Sequence, residues 1–360
     1  MYQSLTIKIG SNVLAGEKGM LNHDRMKDLV DQMASLHHQG HKILLVTSGA
    51  VAAGRSMMQL SKKIDHVSQR QILSSMGQVK LINEYASLFG IHQINIGQVL
   101  VTKQDFRTRE HYLNMKNCLS SLWENNIIPI INENDAVSVT ALMFTDNDEL
   151  SGLLATMMDC DALLILSNVD GIYNGNPMLP ESQVIPTIKP SAELSEYIST
   201  TKSDFGRGGM LTKCRIAQKT AASGITVHIA NGTHPNVIVR LANQDQHFIN
   251  TRFEAGSHHP AVKKWMAYSE GFTKAQITIN EGARKALFDK KANSLLLPGV
   301  IWIQGEFKKG DLLLIKDEKE HILGIGRSGM DREKAEKHRF DKKYKPLVHY
   351  DYLFLYPENL

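Results

Sequence analysis

The chain has 360 residues, of which 42% are hydrophobic, with three cysteines and a formal net charge of +4. Its length suits two domains with sizeable cores, and three dispersed cysteines exclude a disulfide framework and a cysteine-based zinc site. No run approaches the roughly 18 apolar residues of a membrane span and no leader-like segment opens the chain, so we expect a cytoplasmic protein without a membrane partner.

Short β-branched runs alternate with longer stretches of helical period through the first 245 residues. We predict strands at 5–9, 42–47, 94–101, 127–131, 162–166 and 226–229. Between them, apolar residues recur at helical spacing. This alternation predicts an α/β fold, in which helices sandwich a mostly parallel sheet. Ligands of such sheets bind beyond the carboxyl ends of the strands, so the loops that follow the strands are the places to look for a site.

The pattern changes after about residue 245. Shorter strand candidates follow at 276–279, 294–297, 300–303, 311–315 and 321–325, which predict a second, small β-rich domain. We therefore expect a first domain over residues 1–250, a linker over 251–273 and the second domain over 274–360. Residues 271–360 carry 17 Lys and Arg against 13 Asp and Glu. This excess fits a polyanionic partner or a solvated basic face equally well.

The first two predicted strands run into loops that suit anions. Lys8 lies inside the end of the first strand, just before Gly10, and a buried lysine there is expected to meet an anion because an unpaired ammonium is costly to bury. The alternative is a lysine that reaches solvent at the rim. The second strand runs into Thr47-Ser48-Gly49-Ala50, whose backbone N–H groups suit a phosphate or carboxylate. Small residues there also allow close packing of a helix.

Two polar clusters follow later in the chain. Asn132-Glu133-Asn134-Asp135 comes after strand 127–131, and Thr145-Asp146-Asn147-Asp148-Glu149 caps the next helix. Capping explains one acidic residue in each cluster but not the others. The clusters suit a zwitterionic amino acid and a magnesium nucleotide: Asp fits an α-ammonium, Asn fits an α-carboxylate, and acidic groups orient lysines or magnesium-bound water.

A glycine-rich stretch precedes a helix near residue 210. Gly206-Arg207-Gly208-Gly209-Met210-Leu211-Thr212-Lys213 resembles a flexible phosphate cradle with a lysine one turn into the helix. It does not match GxxxxGK[ST], which excludes a P-loop enzyme. A GxGxxG match at 324–329 lies in the β-rich region outside any βαβ unit, so we treat it as accidental.

Taken together, these motifs resemble the amino acid kinase family. They are Lys8-Ile9-Gly10-Ser11, Val46-Thr47-Ser48-Gly49-Ala50, Ile131-Asn132-Glu133-Asn134-Asp135, Asp146-Asn147-Asp148 and Gly208-Gly209-Met210-Leu211-Thr212-Lys213. The Asn-Glu-Asn-Asp and Asp-Asn-Asp stretches are similar to the branch of the family that phosphorylates glutamate. The tail from about residue 275 to 356 resembles a PUA domain, an RNA-binding-type module.

The resemblance implies ATP-dependent phosphorylation of L-glutamate to L-glutamyl 5-phosphate, the first step of proline biosynthesis. It implies Mg²⁺ carried with the nucleotide rather than held by the protein, proline as a feedback inhibitor, and a homo-oligomer, either a dimer or a tetramer. An acetylglutamate or aspartate kinase of the same family is the nearest alternative. RNA binding by the C-terminal domain is another, although we favour a role of that domain in assembly or in the proline response.

The resemblance also implies residue roles. Lys8 and Lys213 would hold the ATP phosphates and the migrating phosphoryl group, and Asp148 would position both lysines. Glutamate would contact Ser48, Gly49, Asn134, Asp135 and Asn147. The nucleotide would contact Lys8, Gly10, Ser11, Ser167, Asn168, Arg207, Gly208, Gly209, Met210, Leu211, Thr212 and Lys213. Two positions depart from the family pattern, because Ser167-Asn168 stands for a Thr-Asp pair and Gly206-Arg207 for Gly-Thr, which puts nucleotide affinity or choice in question.

Overall fold

The computed structural model describes residues 1–16, 20–58, 60, 64–137, 144, 146–176, 179, 181–189, 210–256, 261–289, 293–341 and 344–356. The chain forms two compact units, Met1–Ser257 and His258–Leu360. None of the helices in these described ranges combines the length and apolarity that crossing a membrane requires.

The first unit alternates strands and helices as predicted. Its strands are β1 (Ser4–Ile9), β2 (Lys42–Thr47), β3 (Ile96–Val101), β4 (Ile128–Glu133), β5 (Ala162–Ser167), β6 (Thr187–Ile188), β7 (Thr226–Asn231) and β8 (Thr251–Phe253). Its helices are α1 (Ser11–Leu14), α2 (His23–His38), α3 (Ala50–Arg55), α4 (His66–Ile91), α5 (Arg109–Glu124), α6 (Asn147–Met158), α7 (Met210–Ala222) and α8 (Val237–Ala242). The predicted α/β fold is confirmed.

The strands form one sheet in the order β3-β4-β2-β1-β5-β7-β8-β6. All described pairings are parallel except that of β7 with β8. Strands β2, β3 and β4 lie on one side of β1, and the strands from β5 onward lie on its other side. The strand order therefore reverses at β1, and a ligand is expected beyond the carboxyl end of that strand.

The strands are apolar because helices cover both faces of the sheet. Five of the six residues of β1, including Lys8, are buried. The buried stripe of α2 packs on one face through Met26, Leu29, Val30 and Met33. Burial on both faces fixes where each strand ends, and so it fixes where the first polar residue after each strand emerges.

Helices α3 and α4 cross in very close contact. A Cβ atom placed on Gly77 of α4 would lie 1.8 Å from the carbonyl oxygen of Ala50, and one on Gly54 of α3 would lie 2.0 Å from that of Leu73. Glycine at both positions removes the side chains that would hold the helices apart. This crossing sets the distance of α4 from the loop that follows β2.

The second unit is small and β-rich, as predicted. It contains α9 (Ala261–Ala267), β9 (Ala275–Ile279), α10 (Glu281–Phe288), β10 (Val300–Gln304), β11 (Leu312–Lys316), β12 (Ile322–Ser328), α11 (Arg332–Lys337) and β13 (Val348–Leu355). The sheet order is β10-β9-β11-β12-β13. Within the described strands of this second sheet, β9 and β11 pair in parallel and the other pairs are antiparallel.

One strand prediction needs correction in this part of the chain, and several elements there were not predicted. Residues 294–297 do not form a strand of the sheet: Leu295 makes a single bridge to Val348, and a 3₁₀ turn, Leu297–Gly299, follows with Pro298 in its first positions. Strand β13 and helices α10 and α11 were not predicted. The segment 251–273, predicted as a linker, contains β8 and α9, so regular structure occupies much of its described part.

Candidate active site

Two lysines and one aspartate from distant parts of the sequence meet beside the end of β1. Lys8 Nζ lies 2.6 Å from Oδ1 of Asp148, and Lys213 Nζ donates to Oδ2 of the same carboxylate at 2.7 Å. Asp148, in the first turn of α6, is fully buried, and the Lys8 side chain is 7% exposed. Lys213 lies in the first turn of α7. The structure therefore brings together the three residues that the sequence nominated for catalysis.

Charge pairing overrides burial in this cluster. Burial works to raise the pKa of Asp148, but the ammonium groups of Lys8 and Lys213 hold that pKa below its usual value. Burial likewise works to lower the pKa of Lys213, and the adjacent Asp148 carboxylate raises it instead. The two lysines therefore share one fully buried carboxylate, and the carboxylate and ammonium groups stabilise each other's charged forms.

Asp146 begins α6 and carries an unusual carboxyl group. Its Oδ1 accepts hydrogen bonds from the backbone N–H groups of Asp148, at 2.9 Å, and Glu149, at 3.1 Å. Its Oδ2 is buried without a hydrogen-bond partner among the described residues. Burial and the nearby Asp148 carboxylate raise the pKa of Asp146 to about 6, although Lys8 and Lys213 act against the shift.

Asn147 links the loop after β2 to the end of β4. Its Nδ2 lies 2.8 Å from Ser48 Oγ, 3.1 Å from Asn132 Oδ1 and 3.2 Å from the carbonyl oxygen of Thr47. Its Oδ1 is buried and has no hydrogen-bond partner within the described ranges. The adjacent Gly49 has a φ of +109°, which favours glycine at the point where the chain turns into α3. Ser48, Gly49 and Asn147 are therefore neighbours, as the sequence predicted.

The end of β4 carries an ionic cluster that the sequence analysis only partly anticipated. Arg70, in α4, donates from Nη2 to Asp135 Oδ1 at 2.5 Å and lies 4.0 Å from Glu133 Oε2. Glu133 Oε1 accepts from the backbone N–H of Phe144 at 2.9 Å. Asn134 is half-buried, and its backbone N–H donates to the carbonyl oxygen of Val101. Nothing in the sequence indicated Arg70, which lies 65 residues before its partner.

Helix α4 holds this end of the sheet at several further points. Gln71 Nε2 donates to the carbonyl oxygen of Ala136 at 2.9 Å, and Gln78 Oε1 accepts from Asn132 Nδ2 at 2.8 Å. Tyr85 and Thr47 pair through their hydroxyl groups at 2.9 Å. Gln71, Gln78 and Tyr85 are seven residues apart, so they share one face of the helix.

The other side of β1 presents the residues nominated for the nucleotide. The backbone N–H of Gly10 donates to the carbonyl oxygen of Leu166 at 3.1 Å, and Ser11 is exposed. Ser167 is buried and its hydroxyl donates to Oδ1 of the exposed Asn168 at 3.4 Å. These residues lie at the carboxyl ends of β1 and β5, which are adjacent strands.

An unpredicted carboxylate lies on this side as well. Asp170 Oδ1 accepts a hydrogen bond from Asn231 Nδ2 at 3.1 Å and lies 2.7 Å from His234 Nε2, and its Oδ2 accepts from the Tyr173 hydroxyl at 3.2 Å. Burial works to raise the pKa of Asp170, but these donors hold it below its usual value. Asp170 is therefore a carboxylate held by three neighbours, two residues after Asn168.

The glycine-rich stretch is only partly within the described residues. Arg207, Gly208 and Gly209 lie outside them. Met210, Leu211, Thr212 and Lys213 form the first turn of α7, where Leu211 is 43% exposed. Of this motif, the structure therefore places Lys213 in the cluster and leaves the glycine cradle a prediction.

Comparisons with known proteins find relatives of both units. The amino acid kinase family model matches residues 5–231, and the PUA domain model matches residues 275–345. The chain is 52% identical to the glutamate 5-kinase of Bacteroides thetaiotaomicron over 98% of this chain and 99% of the relative. It is 45% identical to the glutamate 5-kinase of Chlorobaculum tepidum over 99% of this chain and 98% of the relative.

A solved structure of an isopentenyl phosphate kinase in its substrate complex matches the fold. The TM-score is 0.51 at 16% identity, and the match covers 70% of this chain and 100% of that chain. At this identity the likeness concerns the fold alone. The family match over most of the first unit and the near full-length relatives show that the chain belongs to the amino acid kinase family, in its glutamate 5-kinase group, with a PUA domain in the second unit.

Proposed function

We propose that the chain transfers the γ-phosphoryl group of ATP to the side-chain carboxylate of L-glutamate, which yields ADP and L-glutamyl 5-phosphate. The observation that carries the proposal is the pairing of Lys8 and Lys213 with the two oxygens of the buried Asp148 at the strand reversal. Residues that would bind glutamate lie on the β2 and β4 side of this cluster, and described residues that would bind the nucleotide lie at the ends of β1 and β5 and in the first turn of α7. The near full-length similarity to glutamate 5-kinases supports glutamate as the acceptor.

The reaction needs charge neutralisation more than proton transfer. A glutamate carboxylate, with a reference pKa of about 4.3, is ionised at neutral pH and attacks the γ-phosphorus without a general base. The bond from that phosphorus to the β-phosphate oxygen breaks, and ADP leaves with the electron pair. Lys8 and Lys213 would screen the repulsion between nucleophile and triphosphate and bind the migrating group. Asp148 would hold both ammonium groups in place.

The substrates would divide between the two sides of β1. Ser48, Gly49, Asn134, Asp135 and Asn147 would bind glutamate. The nucleotide would contact Gly10, Ser11, Ser167 and Asn168, together with Arg207, Gly208, Gly209 and the first turn of α7 from Met210 to Lys213. The lost carboxylate at Asn168 is one reason to measure nucleotide choice directly.

Magnesium would arrive with the nucleotide. No three His, Cys, Asp or Glu side chains converge on a metal position within the described part of the chain, and Mg²⁺ bound to a nucleotide is commonly held by phosphate oxygens, water and one or two carboxylates. The buried, unpartnered Oδ2 of Asp146 fits an acceptor for a magnesium-bound water. The metal would supply further neutralisation of the phosphate oxygens.

The finer biological assignments are also proposals. We place the activity in the cytoplasm, as the first step of proline biosynthesis, with proline as a feedback inhibitor over the glutamate site. We expect a homodimer or homotetramer. The PUA domain would act on assembly or on the proline response rather than on RNA.

The test is ADP release from MgATP with glutamate, acetylglutamate, aspartate, or bicarbonate plus ammonia as acceptor, with hydroxylamine present to trap an acyl phosphate. Turnover and a hydroxamate with glutamate alone are expected. Added proline then tests inhibition, and deletion of residues 271–360 tests whether binding to structured RNA depends on the tail. If no acceptor produced ADP release or a hydroxamate, the kinase proposal would be refuted.

A further inference from the structure

The acidic end of β4 poses a charge problem for an amino acid substrate. Glu133 and Asp135 lie close together, with side chains 5% and 12% exposed. A glutamate whose α-carbon reaches this end brings its α-carboxylate to two anions. Amide donors such as Asn134 supply hydrogen bonds but no compensating charge, so an α-carboxylate there requires a cation.

The strand register relates this end of β4 to the lysine cluster. Lys8 of β1 is in register with Val46 of β2, which is in register with Ile131 of β4. Two strand spacings separate β1 from β4, or about 10 Å. Asn147 bridges that gap through Ser48 and Asn132. With the side-chain carboxylate at the lysines, the five-carbon acid extends along Asn147 toward Asp135.

We propose that Arg70 binds the α-carboxylate of glutamate while Asp135 binds its α-ammonium group. The inference rests on the proposed function and adds the orientation of the substrate in that site. The Arg70 guanidinium already lies 2.5 Å from Asp135 Oδ1, so cation and anion stand side by side, as the carboxylate and ammonium of an α-amino acid do. A planar guanidinium with five N–H donors can engage two carboxylates at once.

The surroundings hold Arg70 at this position. The next residue, Gln71, donates to the carbonyl oxygen of Ala136, and Gln78 bonds Asn132. Both contacts tie α4 to the segment that carries Asp135, and the glycine crossing fixes α4 against α3. The head-group pair is therefore built before the substrate arrives, which lowers the entropic cost of binding.

The consequence is that the site selects acceptors that carry both an α-amino group and an α-carboxylate. Glutarate lacks the α-amino group and 4-aminobutyrate lacks the α-carboxylate, whereas both keep the reacting carboxylate. Arg70 should reject 4-aminobutyrate, and Asp135 should reject glutarate.

The experiment measures kcat/KM of the full-length protein, by hydroxamate formation, for glutamate, 4-aminobutyrate and glutarate in three variants. Arg70→Met removes the guanidinium, and Arg70→Lys keeps the charge but loses the planar fork. Arg25→Met is the matched control, because Arg25 is 24% exposed against 32% for Arg70 and also pairs with an aspartate, at 3.1 Å. Thermal unfolding shows whether each variant is folded.

In Arg70→Met we expect kcat/KM for glutamate to fall about 10- to 100-fold, mostly through KM, while the value for 4-aminobutyrate changes less than about threefold. For Arg70→Lys, kcat/KM for glutamate should lie between the values of Arg70→Met and the unsubstituted chain. For Arg25→Met it should equal that of the unsubstituted chain. An unchanged ratio of glutamate to 4-aminobutyrate in Arg70→Met would overturn the inference alone. If instead the ratio of glutamate to glutarate collapsed, Arg70 would only position Asp135, and the inference would again be wrong. No glutamate turnover by the unsubstituted chain would overturn the proposed function as well.

Discussion

The two ends of the proposed glutamate site are built differently. At the phosphoryl end, Lys8 of β1 and Lys213 of α7 pair with the fully buried carboxylate of Asp148 in α6. At the head-group end, Arg70 pairs with Asp135 from a position that is 32% exposed, and the groups come from β4 and α4. Buried charges act strongly on developing charge, whereas a pair near solvent exchanges partners at less cost. The first end suits chemistry and the second suits recognition.

The Lys213→Ala substitution should have the largest effect among the tests of this contrast. Because the lost ammonium would act mainly on the migrating phosphoryl group, kcat should fall about 10²- to 10³-fold, with KM for glutamate changed only a few-fold. Steady-state kinetics with varied glutamate measure both. Lys27→Ala is the control, since Lys27 is exposed and pairs with Asp31 at 2.7 Å outside the cluster. Unchanged turnover would mean that the first turn of α7 does not serve the phosphoryl group.

Asp135→Ala should show the opposite pattern. We expect KM for glutamate to rise about 10- to 100-fold with kcat within a few-fold, because the lost contact is one that ground state and transition state share. Asp28→Ala removes an aspartate paired with Arg25 in α2 and should leave both constants unchanged. A fall in kcat at constant KM would contradict the division into two ends.

The head-group end can also be disturbed through packing. A Cβ at Gly77 would overlap the Ala50 carbonyl, so Gly77→Ala should destabilise the fold by about 1–3 kcal/mol and shift the residues of α4. KM should therefore rise more than kcat falls. In the same helix, Gly90 has no atom within 4 Å of such a Cβ, and Gly90→Ala should stabilise by about 0.5–1 kcal/mol. Urea unfolding compares the two, and equal effects would refute the close crossing.

The last test concerns acid–base behaviour at the phosphoryl end. The pKa of Asp146 is about 6 in the folded chain, against 3.8 as its ordinary value. Between these values the folded chain holds a proton that the unfolded chain has lost, so stability falls as pH rises through that window and then levels off above pH 6. Asp146→Asn should remove this slope, which is at most about 1.4 kcal/mol per pH unit.

Urea unfolding between pH 4 and 7 provides that measurement. Asp245→Asn is the matched control, because a hydrogen bond from Arg240 lowers the pKa of Asp245 and places its window below pH 3.8. If Asp146→Asn kept the slope of the unsubstituted chain, the raised pKa of Asp146 would be wrong.

The sequence predicted the phosphoryl end better than the head-group end. Lys8, Asp148 and Lys213 each stand at the end of a strand or in the first turn of a helix, where a charged residue beside an apolar run is conspicuous. Parallel strands then bring such positions to one edge of the sheet. Asn147 and Ser48 followed from the same reasoning.

Arg70 and Gln78 could not be found in this way. They lie inside a long helix among other polar residues, and their partners Asp135 and Asn132 lie more than 50 residues away in the sequence. Strand 127–131 was predicted to stop before Asn132, whereas β4 continues to Glu133. In the second unit, Leu295 lies in an apolar run without joining the sheet, because Pro298 interrupts it.

The position of β1 at the centre of the strand order has an evolutionary consequence. Lys8 lies at the reversal, and the pairing of Asp148 with Lys213 joins the two sides. The loops and the helix proposed to face the acceptor come from the sequence before residue 150, and those proposed to face the nucleotide, apart from the end of β1, come from the sequence after residue 160. Outside the cluster of Lys8, Asp148 and Lys213, mutations in one half need not disturb the other. A lineage can therefore change its phosphate acceptor while it inherits the strands and loops of its donor side.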